Sequence, residues 1–313
     1  MSTRRLGTSP ALDTSVGVGF NVLASILFAL MYGYTSLLAE LSSGEIYGWR
    51  ILLTAPCLTL MVLAMGRWHE VSAIFQRMHH ERWFWSKRLL SASLLGVQLW
   101  LFMWAPLNGY GLDVSLGYFL LPLSMVLLGR VAFGERLSAF QFVACLIAAV
   151  GIVNQLVIAQ AITWPVLAVC LGYPGYFWLR RVSNTNTLGG LWFDMNLSLP
   201  LSLFFIWQGG QVIDGGTGTM HLWWLVLGLG VISAAALGCQ ALSAPRMNLT
   251  LFGLLIYVEP VLLVFVSLWL GEAITAAQWP TYIAIWLAVL VLMAEGARTL
   301  WRAKASARHR VGR

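Results

Sequence analysis

The sequence predicts an all-α polytopic membrane protein, with ten transmembrane helices in two inverted five-helix repeats. Three observations carry this reading. Of 313 residues, 59% are hydrophobic and only 10% are charged, with a mean hydropathy of +0.78; a soluble domain carries about 25% charged residues. The cations fall almost entirely in alternate connections between apolar runs. A pattern of Pro, Gly-Glu and Gln occurs twice, with Gly134 and Gly271 standing 137 positions apart.

The composition excludes several classes at once. Nineteen Lys and Arg and twelve Asp and Glu cannot cover a 34.6 kDa particle in water. A soluble enzyme, a disordered scaffold and a nucleic-acid binder are therefore poor readings, despite a net charge of +7. The cysteines Cys57, Cys145, Cys170 and Cys239 lie inside apolar runs without a CxxC pair and read as packing residues. Met1 to Pro10 is short and polar, with no small-residue cleavage site, so no secretory signal is expected there.

A spanning helix needs about 20 mostly apolar residues. Breaks in the apolar pattern place spans at 15–38, 46–66, 88–108, 113–131 and 138–157, then at 162–181, 186–208, 221–241, 247–269 and 278–298. Two connections are longer. Residues 67–87 mix charges and histidines with Trp68, Trp83 and Trp85, which suggests an amphipathic segment with its apolar face on the lipid headgroups. Residues 208–221 are Gly-rich and polar, an exposed loop.

Charge placement tests the map. Arg4 and Arg5 precede span 1; Arg67, Arg77, Arg82, Lys87 and Arg88 follow span 2; Arg130 and Arg136 follow span 4; Arg180 and Arg181 follow span 6. Arg246 follows span 8, and Arg298, Arg302, Lys304, Arg308, Arg310 and Arg313 follow span 10. The alternate connections hold no cation, but contain Glu40, Glu45, Asp113, Asp214 and Glu272. By the positive-inside rule both termini are cytoplasmic. The cations are then accounted for by retention of cytoplasmic loops and by contact with anionic membrane lipid, without nucleic acid.

The repeat divides the chain into residues 1–157, residues 158–300 and a basic cytoplasmic tail at 301–313. Pro122, Gly134-Glu135 and Gln141 in the first half recur as Pro260, Gly271-Glu272 and Gln278 in the second. The offset equals five spans, an odd number, so the second copy crosses the membrane in the opposite sense. Inverted repeats of this kind place a substrate site between the halves near the midplane. Each proline removes a backbone hydrogen bond and bends its helix. Gly230, Ala234 and Gly238, and Ala144 with Ala148, are spaced for close helix packing.

Ionisable groups inside hydrocarbon are functional candidates by default. Three lie within the spans: Arg50, Asp194 and Glu259. Glu259 is near the midplane beside Pro260. It suits a substrate amine or a coupling proton; the plainer reading is a carboxyl that hydrogen-bonds between helices. Arg50 suits a substrate carboxylate through its fork, or it snorkels outward, or it pairs with Glu45 or Glu259. Asp194 shares a helix face with Ser198 and has Asn196 close by, fitting either a binding role or a polar contact. Gln98, Asn108, Tyr118, Asn154, Gln155, Gln240 and Tyr257 line a cavity or hold helices together. Tyr118 and Tyr257 are preferred for the cavity because each closely precedes a repeated proline. Trp100 and Trp104 share a face that packs on an aromatic substrate or on lipid. No Walker A loop, HExxH or dinucleotide motif occurs, and all five histidines lie outside the spans. Neither a cofactor, a metal nor an enzymatic activity is expected.

Ser115-Leu116-Gly117-Tyr118-Phe119, Pro122, Gly134-Glu135-Arg136 and Val153-Asn154-Gln155-Leu156 resemble the RarD branch of the EamA transporters, within the drug/metabolite transporter superfamily. Glu45-Ile46 followed by Arg50, Trp100-Leu101-Phe102 and Asn108 add to the match, which is strongest over residues 45–157. The resemblance implies two inverted EamA repeats. It also implies export of small metabolites, amino acids or drugs, by proton exchange or down a gradient; members of the branch are similar to a chloramphenicol-sensitivity protein. The expectation is a secondary-active exporter, monomeric or homodimeric. An importer is the alternative within transport, and a membrane-embedded enzyme or flippase-like protein the alternative outside it.

Overall fold

The computed structural model describes residues 10–38, 40–108, 110–159, 163–209, 219–269 and 275–311. The described residues form helices without any strand. In chain order they are α1 (Pro10–Thr35), α2 (Ser43–Ala64), α3 (Trp68–His80), α4 (Phe84–Leu107), α5 (Gly111–Phe133), α6 (Ala139–Ala159) and α7 (Trp164–Val182). There follow α8 (Leu188–Leu197), α9 (Leu199–Gly209), α10 (Thr219–Ser243), α11 (Leu249–Leu255), α12 (Val258–Trp269) and α13 (Trp279–Val311). Among the described residues six stretches, built on α1, α2, α4, α5, α6 and α10, are long and apolar enough to cross a membrane. Several such stretches in one chain make this a multi-pass membrane protein.

Two expected spans are not single helices. Residues 186–208 are α8 and α9, bent by 43° at Ser198. Residues 247–269 are α11 and α12, interrupted at Ile256 and Tyr257. The second break follows from Pro260, whose ring crowds the carbonyl four residues back and which offers it no N–H. Pro122, by contrast, is accommodated inside an unbroken α5. The last helix runs on to Val311, so much of the expected tail at 301–313 is helical. The Gly-rich loop lies mostly outside the described residues, as do Arg4, Arg5, Gly271 and Glu272.

The segment at 67–87 also departs from expectation. It contains α3, but the apolar stripe Val71, Ile74 and Met78 is buried in the protein, and α3 packs on α8 and α4. Glu70 accepts from the Gly189 N–H at 2.9 Å and Arg77 donates to the Ser183 carbonyl at 2.8 Å. These bonds turn the stripe inward, leaving Trp68, Phe75, Trp83 and Trp85 exposed.

The repeated residues have visible local roles. Gly134 ends α5 with φ 62°, a left-handed turn that a glycine adopts at little cost. The turn carries Glu135 to α11, where its carboxylate accepts from the N–H groups of Leu249 and Thr250 at 2.9 and 2.8 Å. Gln141 accepts from the Ser138 N–H at 3.1 Å at the start of α6, and Gln278 from the Thr275 N–H at 3.1 Å before α13. The same capping arrangement thus opens the fifth and tenth expected spans.

Packing follows the small residues. Of the residues spaced for close packing, Gly230 abuts Leu53, Gly238 abuts Met61, and Ala144 and Ala148 are fully buried. A Cβ on Gly48 of α2 would stand 2.7 Å from the Ser202 carbonyl oxygen of α9, closer than side chains tolerate. α1 packs on α10 and α12, and α2 on α10 and α9. α7 packs on α4 and α5, α4 on α8, α5 on α11 and α6 on α13. Leu60, Val131, Val150, Val157 and Trp207 point outward and exposed, as lipid-facing residues do.

Candidate functional site

The central cavity lies where α1, α2, α4, α5, α7, α10 and the α11–α12 break converge, a narrow gap of only ≈ 20 Å³ between side chains. Its polar lining is Arg50, Glu259, Tyr118, Tyr173 and Gln240. Its apolar lining includes Phe28, Met31, Phe102 and Phe177. Tyr118 is at the centre of an aromatic wall. Phe102 meets it at 5.9 Å between ring centroids and Tyr173 at 6.1 Å, and Tyr173 stacks on Phe177 at 6.5 Å.

Arg50 enters the cavity from α2. It is 1% exposed, so it does not snorkel to an interface. Its Nε donates to Ser233 Oγ at 3.0 Å, whereas its buried Nη1 has no partner. Glu259 enters from the first turn of α12, where the helix dipole favours a negative group. No ion pair within 4 Å joins the two among the described residues. An unsatisfied guanidinium N–H and a carboxylate therefore face one aromatic-walled space. Once the gap widens, that lining suits a small solute with an anionic group, a cationic group and apolar surface.

Of the residues singled out from sequence, the cavity brings together Arg50, Glu259, Tyr118 and Gln240. The others are elsewhere. Tyr257 is buried between helices and donates to the Phe119 carbonyl at 3.0 Å. Gln98 donates to the Ala168 carbonyl at 2.7 Å and fills the space beside Gly172. Asn108 and Asn196 each bond a carbonyl one turn back, those of Trp104 and Trp192. Asn154 and Gln155 tie α6 to Thr281 of α13. Trp104 stacks between Trp100 and Tyr110, at 5.0 and 5.4 Å, outside the central cavity.

Asp194 belongs to a separate buried cluster. It pairs with Arg88 and accepts from Ser91 and from the Tyr176 hydroxyl, each at 3.2 Å. Arg180 donates to Tyr176 Oη at 2.6 Å and to the Thr185 carbonyl at 3.0 Å. Arg88 and Arg180, assigned by sequence to cytoplasmic connections, are each 1% exposed. They fold inward because Asp194 and the turn at 183–187 supply their partners.

Sequence reasoning missed Tyr173. A signal was present, since it directly precedes Pro174, as Tyr118 and Tyr257 precede Pro122 and Pro260. Phe28 and Phe177 carried none, and Phe102 only its place in the Trp100-Leu101-Phe102 match: an aromatic in an apolar span faces lipid or cavity according to the rotation of its helix. Among the described residues no group of three or more His, Cys, Asp and Glu is placed to hold a metal.

This chain is similar to the chloramphenicol-sensitive protein RarD of Pseudomonas aeruginosa, 41% identical over 91% of this chain and 95% of that one. The chain belongs to the RarD family. That family is of the EamA, drug/metabolite transporter type, in keeping with the motif resemblance above. An uncharacterized transporter of Pasteurella multocida is 34% identical over 90% of this chain, and one of Vibrio cholerae 28% over 91%. A solved structure only 18% identical superposes with a TM-score of 0.66 over 90% of this chain and 98% of its own, so the fold extends well beyond RarD-like sequences. No family model matches the chain. As a RarD family member the protein is a transporter, and its substrate is a small molecule.

Proposed function

We propose that the protein is a secondary-active exporter that moves small amphipathic solutes from the cytoplasm by alternating access, with a proton as the coupling ion. The observation that carries this reading is that Arg50 and Glu259 line one aromatic-walled cavity without bridging each other. Amino acids and related zwitterions match that lining. So does a neutral aromatic drug with hydrogen-bonding groups, the class to which the name of the Pseudomonas relative points.

The helix pairings support two inverted halves, 1–157 and 158–300. Exchanging each helix for the one five spans later turns α1 into α7, α2 into α8–α9, α4 into α10, α5 into α11–α12 and α6 into α13. The pairs α1·α10, α2·α10 and α1·α12 then become α7·α4, α8·α4 and α7·α5, all of which occur. The pairs α2·α9, α5·α11 and α6·α13 return themselves. Rocking of one half against the other would open the cavity to each side in turn. Glu259 exchanges a proton as its surroundings change, and Arg50 holds the solute's anionic or acceptor group. The loop charges orient both termini to the cytoplasm of a bacterial inner membrane.

Reconstituted vesicles test this reading. An imposed pH gradient should drive uptake of amino acids or chloramphenicol, and Glu259→Gln should abolish the gradient dependence with the protein still folded. Gradient-driven transport by Glu259→Gln would remove the carboxyl from coupling. Arg50→Lys keeps the charge and loses the fork; the expected rise in KM is about tenfold, and an unchanged KM would make Arg50 structural.

A further inference from the structure

A second cavity system lies on the flank where α4 faces α8 and α9, apart from the central cavity. Its groove, with an empty volume of ≈ 730 Å³, is walled by Leu89, Val97 and Trp100 of α4 and by Leu201 and Phe205 of α9. Leu89, Val97 and Leu201 are exposed along it. Leu89 to Trp100 spans about 16 Å of helix, close to half the thickness of a bilayer's hydrocarbon core. At Trp100 and Phe205 the groove continues into a vestibule of ≈ 1040 Å³ that Glu40, Ser43, Glu45 and Gln208 also line.

Two features say what fits there. Tyr47 lines the groove, is fully buried, and its hydroxyl has no partner. That hydroxyl stands 3.3 Å from the position a Cβ would take on Gly96, itself a groove residue. A buried hydroxyl without a partner is costly, and an alkyl chain alone cannot satisfy it. The vestibule supplies the second feature: its ionisable lining is Glu40 and Glu45, with no Lys or Arg among the lining residues. Tyr47 is four residues into α2 from Ser43, about 6 Å below that mouth. An occupant therefore needs a cationic head, a hydrogen-bond acceptor a few ångström below it, and a long apolar chain.

We propose that the groove binds one bilayer phospholipid with a primary-amine head, of the phosphatidylethanolamine class. Its ammonium group lies against the exposed Glu40, in front of the buried Glu45 carboxylate that also accepts from the Ser42 N–H and hydroxyl. An ester carbonyl accepts from the Tyr47 hydroxyl, and one acyl chain runs along α4 and α9. The orientation proposed above makes it a lipid of the outer leaflet. It would bridge the first half of the chain, through α4, to the second, through α8 and α9. An anionic lipid is disfavoured by both carboxylates, which separates this site from the basic connections at the other end of the helices.

Native mass spectrometry of the purified full chain, with equal amounts of phosphatidylethanolamine and phosphatidylglycerol of identical chains, tests the assignment. The expected result is one retained lipid with about a tenfold preference for the ethanolamine head, the scale of one charge-assisted hydrogen bond. Glu40→Gln and Tyr47→Phe should each bring the ratio towards parity, and Gly96→Leu should expel the lipid. Should Gly96→Leu not fold, Leu201→Trp obstructs the same groove from its exposed wall. Equal binding of the two lipids would overturn the proposal, as would ethanolamine lipid retained when the groove is filled. Displacement by dodecylamine at equal affinity would show that the ester is not read, and would overturn it also. Lipid retention is measured without transport, so the outcome is independent of the exporter reading.

Discussion

Arg50 and Asp194 show two opposite fates of a charge inside a membrane protein. Arg50 keeps one buried N–H unpaired and faces a cavity, which is a poor arrangement for stability and a useful one for a ligand. Asp194 is fully buried and satisfied on every side, by Arg88, Ser91 and Tyr176. Removing it would leave the buried Arg88 guanidinium without its counter-ion. Asp194→Ala should therefore destabilise the folded protein by about 3–5 kcal/mol, read from thermal unfolding in detergent. A change within a few tenths of a kcal/mol would mean that water already neutralises the cluster. In the sequence these residues looked alike, as charges in or near apolar runs. Their partners, Ser233 for Arg50 and Arg88 for Asp194, are 183 and 106 positions away, beyond the reach of any local pattern.

Helix ends and breaks carry the second level of organisation. Gly134-Glu135 was legible as a repeated motif, but its purpose was not: the carboxylate caps α11, 114 positions downstream, and pairs with Arg181 at 2.5 Å. Burial pushes the Glu135 carboxyl up, but the N–H groups of Thr250 and Leu249 and the Arg181 guanidinium outweigh it and hold the group below the ordinary carboxylate value. A carboxyl lowered on folding stabilises fully above its unfolded-state value and loses that contribution as pH falls through its folded-state value. The thermal midpoint should accordingly drop as pH falls below about 4.3, the unfolded-state Glu value, and Glu135→Gln should flatten that drop. An identical pH profile in the variant would assign the acid sensitivity to other groups. The broken helices were marked locally. Pro260 and Pro200 were both visible, and the break at 256–257 and the bend at Ser198 each lie two to four residues before their proline, whose missing N–H leaves the carbonyl four residues back without its helical donor.

At the scale of the whole molecule, orientation is the most direct quantity to measure. A single cysteine placed in the tail after residue 301, in a background without Cys57, Cys145, Cys170 and Cys239, should react with an impermeant maleimide only in inverted vesicles. Labelling in right-side-out vesicles would reverse the orientation, and with it the leaflet of the lipid groove. The sequence by itself determined that the chain is helical, apolar and built to lie in a bilayer. It also marked where most helices begin and end, because hydrophobic burial and charge placement act over one helix at a time. Only the tertiary structure decided which polar groups share a space. Tyr118 and Tyr257, equivalent by their prolines, part company there: one lines the cavity, the other bonds the Phe119 carbonyl. The same packing brought Tyr173 in, left Asp194 out and turned Arg88 and Arg180 inward. The physical reason is rotation about the helix axis. Spacing along one chain fixes which residues share a helix face, and only contact with neighbouring helices chooses whether that face meets lipid, protein or an open cavity.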